Sequence, residues 1–530
     1  MSIETAISAP RSTRRGATLA VVCAAIVMVP ITATGASVAL PAISGDLHTN
    51  LGASQWVVNA FFLTFASFMA ITGSLADLTG RRRMFLGGVA LFCGAMVVAC
   101  IAPDIAVLIT ARTVAGIGAA AATTGGSALL AQAFEGPARA KAFAVFGTAI
   151  GLGLAFGPLV AGVLVTSLGG WRVFFLVAAV VLVPVLVAGP LLAESRSTTG
   201  ATVDRAGAVT FTVGLSAFVF GLVEGPELGW QHPAVLAALV AFVVLMVVFQ
   251  AVERRKAHPM FDVSLFAQPR FAAICAMPIL LAFGFVALLI VLPPYFTAVD
   301  GLSAQNAGVL LVLLTGPTLV VPTLVGRISH RIPQRLLLVL ILVLVGAGTA
   351  WLTVIEPGVS VATLAGPLLT IGVGFGISLA ILDAAAVSSV ESARAGMAAG
   401  MFNTMRVTGE SVAIAALGAV LTATTQSRLG DVVGGEAAGR ATSRLLQGDM
   451  SGAAASAPGG GPVDFVQAAG QAYSGAMHVA LWSLAGLSVL GAVVIGLLTG
   501  GRPAAEKGVA ADEQSGIGEN LVGSPDVSVG

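Results

Sequence analysis

Apolar residues run in long blocks along this chain, and the polar ones gather between blocks instead of alternating within them. A helix that crosses a bilayer needs about 20 mostly apolar residues at about 1.5 Å rise each. Fourteen blocks reach that length: 17–41, 55–75, 84–103, 105–130, 141–165, 172–193, 207–224, 233–252, 271–293, 305–326, 335–355, 361–385, 397–421 and 476–499. They predict spans 1 to 14 of an all-α integral membrane protein. Gly and Pro interrupt several of them, which membrane helices tolerate. The first block follows Arg11, Arg14 and Arg15, as a secretory signal would. It is long for a signal's apolar region, and many more spans come after it, so it is read as a membrane helix.

Composition agrees with this pattern. Of 530 residues, 57% are apolar and 10% charged, whereas a soluble domain carries roughly a quarter charged residues. A soluble enzyme is excluded. The net charge of +1 offers no basic excess for nucleic acid. Cys23, Cys93, Cys100 and Cys275 all lie in apolar stretches, so they read as buried thiols and not as a disulfide framework.

The distribution of Lys and Arg predicts orientation. With the N-terminus cytoplasmic, 20 of the 26 basic residues fall on the cytoplasmic side and only Arg172 in a short outer loop. Arg428, Arg440 and Arg444 lie in the long 422–475 segment, where the rule is weak, and Arg112 and Arg406 sit inside spans. Both termini are therefore expected on the cytoplasmic side of a bacterial plasma membrane.

A short internal repeat divides the chain. Gly73, Asp77 and Arg82 between spans 2 and 3 match Gly326, His330 and Arg335 between spans 10 and 11, each pair 253 residues apart. The expected organisation is an N-terminal tail (1–16), a six-helix bundle (17–195), an inserted pair of spans 7–8 with flanking loops (196–256), a second six-helix bundle (257–500) and a C-terminal tail (501–530). The outer segment 422–475, rich in Gly, Ala, Ser and Gln, is expected to be loosely structured.

Three segments carry chemistry. In Gly73-Ser-Leu-Ala-Asp77-Leu-Thr-Gly80-Arg81-Arg82-Arg83, the glycines allow a tight turn, Asp77 can hold an arginine or a helix N-terminus, and the arginines anchor the turn at the membrane surface. In span 4, Arg112 lies about two turns from the outer end, where a charge is costly unless it meets water or an acid. In span 5, Gly147, Gly151, Gly153, Gly157 and Gly162, with Pro158 among them, make a bendable helix with a smooth face.

These segments resemble the signature motifs of the major facilitator superfamily: the loop motif between helices 2 and 3, the helix 4 arginine motif and the helix 5 antiporter motif. Fourteen spans with an inserted pair resemble its 14-helix drug:proton antiporters. Ala39-Leu-Pro41, Trp171-Arg172, Asp204-Arg-Ala-Gly207 and Arg406-Val-Thr-Gly409 add to the likeness. The resemblance implies two six-helix bundles plus an inserted pair, and export of a hydrophobic or amphipathic drug in exchange for protons. It further implies no cofactor beyond the proton gradient, and a functional monomer in the lipid bilayer. The chain departs from the family at Thr32, where many relatives place an aspartate in helix 1. That departure leaves Arg112 without the family's usual partner.

Proton coupling needs a carboxyl group that changes charge in the cycle. Glu410 in span 13 falls nearest the middle of a span, with Arg406 one turn earlier on the same face and Asn403 a further turn back. Two readings stand: Glu410 couples protons, or it forms a permanent intrahelical pair with Arg406. Asp383 in span 12 is the second coupling candidate, and Arg112 and Arg406 complete the candidate coupling set. By the resemblance, helices 1, 4, 9 and 12 wall a cavity to which Met277, Phe283, Phe285 and Phe375 give an adaptable apolar surface. Neither a metal-ligand cluster nor a phosphate-binding loop occurs in the sequence. The competing functions are a facilitator or importer of a metabolite and, from another class, a membrane-embedded sensor.

Overall fold

The computed structural model describes residues 11–49, 51–167, 170–194, 205–254, 263–302, 304–391, 394–455 and 462–499. Eleven of its helices are long and apolar enough to cross a membrane, and a bent pair makes a twelfth. In chain order we label them α1 Arg15–Leu40, α2 Trp56–Met69 with Ile71–Thr79, α3 Arg81–Cys100, α4 Ile105–Ala133, α5 Gly136–Val165, α6 Trp171–Val187, α7 Val209–Leu222, α8 Pro233–Glu253, α9 Pro269–Ala298, α10 Asn306–Arg331, α11 Gln334–Val354, α12 Val361–Ser388, α13 Met397–Val433 and α14 Phe465–Leu498. Helices α6 and α7 are the two shorter apolar ones. A helix thus stands at each of the fourteen predicted positions, and eleven or twelve meet the spanning criterion.

Two buried cores organise the bundle. One is built from α1 to α6, around Phe61, Phe85, Phe92, Phe146 and Phe174. The other is built from α9 to α14, around Phe271, Phe285, Tyr295, Phe402 and Tyr473. The inserted helices join both: Phe211 and Leu215 of α7 and Phe249 of α8 pack into the second core, while Val219 of α7 packs into the first. Ser216 Oγ donates to Ser67 Oγ of α2 at 3.0 Å, and the Phe220 ring sits 5.9 Å from that of Trp56. Outward, α8 presents Leu236, Val240, Val243, Val244 and Val247, as a helix facing lipid must.

The first helix begins at Arg11, within the expected N-terminal segment 1–16. One expectation needs correction. The 422–475 segment is not loose: α13 continues to Val433, helices Gly435–Leu446 and Met450–Ala455 follow, and the last helix starts at Pro462. Its alanines favour helix, and Leu429, Ala438, Ala441, Leu445, Ala453, Phe465 and Tyr473 are buried together over the ends of α9 and α14. Gly434 (φ +83°) and Gly448 (φ +86°) make the turns between these helices. Tyr295 Oη and Ser474 Oγ share a 2.7 Å hydrogen bond beneath this cap. Few large apolar residues suffice here because small ones permit close packing. Asp204, residues 1–10 and the tail 501–530 lie outside the described residues.

Candidate functional site

The 73–83 turn forms a buried ionic junction. Arg81 donates to Asp77 Oδ1 through Nη2 (3.0 Å) and Nε (3.2 Å), and both side chains are buried. The other oxygen, Asp77 Oδ2, accepts the backbone N–H of Met397 at 2.9 Å, in the first turn of α13. Asp77 therefore holds both of the partners expected of it, and the second belongs to the opposite half of the molecule. An acid there also favours the positive end of the α13 dipole. Gly80 adopts φ +114°, a left-handed turn that a side chain would strain, and Glu194 occupies the space beside it. The Arg82 backbone N–H donates to Glu194 Oε1 (3.3 Å), and Arg83 lies 3.7 Å from the same carboxylate. Glu194 had no signal in the sequence; only the fold returns the end of α6 to this turn. Gly73 lies in α2, one helical turn before Asp77.

Arg112 is fully buried and meets no acid among the described residues. Its Nε donates to the Val57 carbonyl (2.9 Å) and Nη2 to the Thr32 carbonyl (3.3 Å), while Nη1 has no hydrogen-bond partner. The guanidinium lies 4.3 Å from the Phe61 ring centroid and 5.9 Å from that of Phe175. Thr32, where the resemblance led to the expectation of an acid, supplies only its carbonyl, because its hydroxyl donates back to Val29. Ring faces and helix carbonyls are the neighbours of this cation.

The α5 glycines divide between the two halves of the molecule. A Cβ at Gly147 would run into the Leu379 carbonyl of α12, and one at Gly151 into Thr318 of α10. At Gly153 and Gly157 it would strike Pro30 and Thr34 of α1. Gly162 has open space, and Pro158 sits within the helix. The first pair therefore serves the seam between halves, and the second pair serves the N-terminal bundle. Thr148 Oγ1 and Thr323 Oγ1 bridge the same seam at 3.1 Å, and Arg139 Nη1 donates to Ser388 Oγ at 3.4 Å. These cross-seam contacts run from mid-membrane to the face that carries the 73–83 turn.

The acids converge on one pocket in the second bundle. Its lining includes Phe375, Ser378 and Asp383 of α12, and Phe402, Arg406 and Glu410 of α13, closed by α9. Three of the four coupling candidates, Asp383, Arg406 and Glu410, thus belong to one group, and Arg112 lies outside it. Arg406 Nη1 lies 3.4 Å from Asp383 Oδ2, so the ion pair made by Arg406 runs across helices, and the intrahelical pair with Glu410, one of the two readings, is not formed here. Side chains on a helix lean toward its N-terminus, and an arginine placed before a glutamate at i,i+4 is the weaker order. Asp383, on a facing helix, wins the arginine. Glu410 is half-buried and has no hydrogen bond or ion pair among the described residues. This pocket is lined by α9, α12 and α13; Phe285 stacks behind Phe375 (centroids 3.8 Å apart, 2° between planes), and Met277 and Phe283 are not on its lining. Sequence reasoning missed Ser378 and Phe402, which carry no pattern distinguishing them from packing residues.

Outside the spans, Asp46 accepts from Arg172 Nη1 and from Trp171 Nε1 (3.1 Å), and Arg172 Nη2 also donates to the Ala102 carbonyl. These bonds, led by that from Arg172, hold the Asp46 carboxyl below its usual range. Among the described residues no group of His, Cys, Asp and Glu is arranged to hold a metal.

The chain resembles known proteins in sequence and in fold. Residues 22–414 match the family model of the Major Facilitator Superfamily. Multidrug resistance protein Stp of Mycobacterium tuberculosis is 32% identical over 392 residues, covering 73% of this chain and 72% of that one. The probable actinorhodin transporter of Streptomyces coelicolor is 32% identical over 437 residues, covering 78% and 74%. Among solved structures, the human organic anion transporter MFSD10 superposes with a TM-score of 0.60 at 14% identity, covering 92% of this chain and all of that one, which is a likeness of fold. A family match across most of the chain, a bundle in two halves and a buried Asp–Arg junction at their seam agree, and the chain belongs to the Major Facilitator Superfamily of membrane transporters.

Proposed function

We propose that this protein exports a hydrophobic or amphipathic small molecule across the bacterial plasma membrane in exchange for protons, by alternating access. The observation that carries this reading is the pocket in which two carboxylates and one arginine face apolar and aromatic walls. An apolar wall accepts a greasy substrate, and a carboxylate that takes up and releases a proton supplies the coupling. The names of the relatives, a multidrug resistance protein and an actinorhodin transporter, support export of drugs or antibiotics. Glu410 is the leading coupling residue and Asp383 the second.

In this reading the chain crosses the membrane fourteen times, with both ends and the 73–83 turn cytoplasmic, and works as a monomer without a cofactor. The seam is then closed toward the cytoplasm. Gly73, Asp77, Gly80, Arg81 and Arg82 form the conformational switch, since Asp77 must release Met397 before that side opens. Inverted membrane vesicles loaded by an imposed pH gradient test the proposal, with ethidium as probe beside a susceptibility panel of deletion and overexpressing strains. Ethidium accumulation that collapses with the gradient, and that Glu410→Gln abolishes, is the expected result. Accumulation indifferent to the gradient, together with unchanged susceptibility across the panel, would sink it.

A further inference from the structure

The group around Arg406 has an uneven charge. Asp383, Arg406 and Glu410 are the ionisable residues of the pocket lining, and together they carry one net negative charge when both acids are ionised. Charged groups on helices packed against α13 are engaged elsewhere. On α2, Asp77 is held by Arg81 and Met397; on α4, Arg112 is stacked on Phe61; on α14, His478 is hydrogen-bonded to the Ile355 carbonyl at 2.8 Å. The α9 residues of the lining, among them Pro278, Leu281 and Val286, are apolar. Nothing else in the pocket can neutralise the second acid.

We propose that Arg406 is a shared counter-ion, which leaves Asp383 for Glu410 when Asp383 takes up a proton. This deepens the proton-exchange reading and rests on it. The pair seen here is long for a charge-assisted bond, 3.4 Å against roughly 2.7–2.9 Å, so the guanidinium is not locked in place. Glu410 is one helical turn away on the same face, within reach of a long flexible side chain. The Phe402 ring, 5.9 Å from the guanidinium, borders its path. In the first state Arg406 neutralises Asp383, and Glu410 must hold either a proton or the cationic group of a substrate. In the second state the proton sits on Asp383 and Arg406 neutralises Glu410, which excludes a cation from it. Each state with one proton is neutral overall, so a proton and a monocation alternate. Arg406 is a positioning residue in this scheme: it binds neither proton nor substrate but decides which acid is open to them.

Thermal melting of the full-length protein in lipid nanodiscs, without substrate, separates a shared counter-ion from a fixed pair. Glu410→Gln is expected to melt near wild type, because Arg406 already rests on Asp383. Asp383→Asn is expected to cost little, because Arg406 moves to Glu410. Removing both acids strands a buried cation and should lower Tm by about 4 °C or more beyond the sum of the single effects. Adding Arg406→Gln to that double variant is expected to restore melting, which keeps the test decisive if the double variant fails to fold. Additive single effects, or a triple variant no better than the double, would overturn the shared counter-ion. Its failure differs from failure of the function: Glu410→Gln vesicles that still export ethidium on a pH gradient would remove the coupling, whereas additive melting with coupling intact removes only the exchange.

Discussion

At Arg112 the chemistry of one side chain has outlived its expected partner. A cation at the centre of a membrane helix costs roughly 2.5–3.5 kcal/mol on translocon-insertion scales, and here two carbonyls and two aromatic faces offset it without an acid. Shape and charge therefore separate by substitution. Arg112→Met removes the charge, keeps the volume, and is expected to hold or raise Tm in detergent. Arg112→Lys keeps the charge, loses the planar stack and the fork of donors, and should melt lowest. A lysine variant as stable as wild type would mean that charge alone matters there. Asp46 offers a residue-scale test by pH. Its carboxyl lies below the usual range because of Arg172 and Trp171, so its contribution is present above about pH 4 and fades as pH falls through the folded value. The difference in melting between wild type and Asp46→Asn should be measurable at pH 7 and vanish at the acid end. A difference that persists at the lowest pH would assign it to packing.

At the scale of elements, α5 shows that a motif read as one smooth face is two. Gly147 and Gly151 meet α12 and α10 across the seam, Gly153 and Gly157 meet α1, and Gly162 meets open space. Gly147→Ala is thus expected to hold the seam apart, slow transport at least tenfold, and expose a cysteine introduced at Thr323 to maleimide from the 73–83 side. Gly162→Ala has room and a better helix propensity, so it should be neutral or gain up to about 1 kcal/mol. Equal effects of the two substitutions would contradict this division. The turn between α2 and α3 follows the same logic. Asp77→Asn keeps a hydrogen-bond acceptor for Met397 but loses the ion pair with Arg81, so transport rate should fall while equilibrium substrate affinity stays within a few-fold. Loss of binding with an unchanged conformational exchange rate would move the residue from the switch to the substrate site.

For the whole molecule, α7 and α8 are more than an insertion. By packing Phe211, Leu215 and Phe249 on one half and Val219 on the other, they back the seam between α2 and α13, while the seam at α5 relies on direct contact between the halves. Single cysteines at Arg82 and at Ser443, in a background without Cys23, Cys93, Cys100 and Cys275, test the proposed topology. Ser443 is exposed on the helical cap. The two are expected to label from opposite sides of the membrane, and labelling of both from outside intact cells would reverse the assignment.

Periodicity alone fixed where the helices run, because an apolar block of spanning length has no other way to satisfy its backbone in lipid. Motif spacing likewise brought Asp77, Arg81, Arg112 and the α5 glycines to notice, since residues one turn apart on a helix or in a tight turn meet by local geometry. What tertiary structure decided were the meetings between distant segments. Local spacing paired Arg406 with Glu410, yet the facing helix gave it Asp383; Glu194 reached the 73–83 turn only because α6 ends beside it. The 422–475 segment looked loose because its composition lacks large apolar residues, and it folds because small residues bury well once α9 and α14 provide a platform. A one-dimensional pattern specifies which face of a helix is apolar, but which neighbour that face meets depends on how fourteen such helices pack at once.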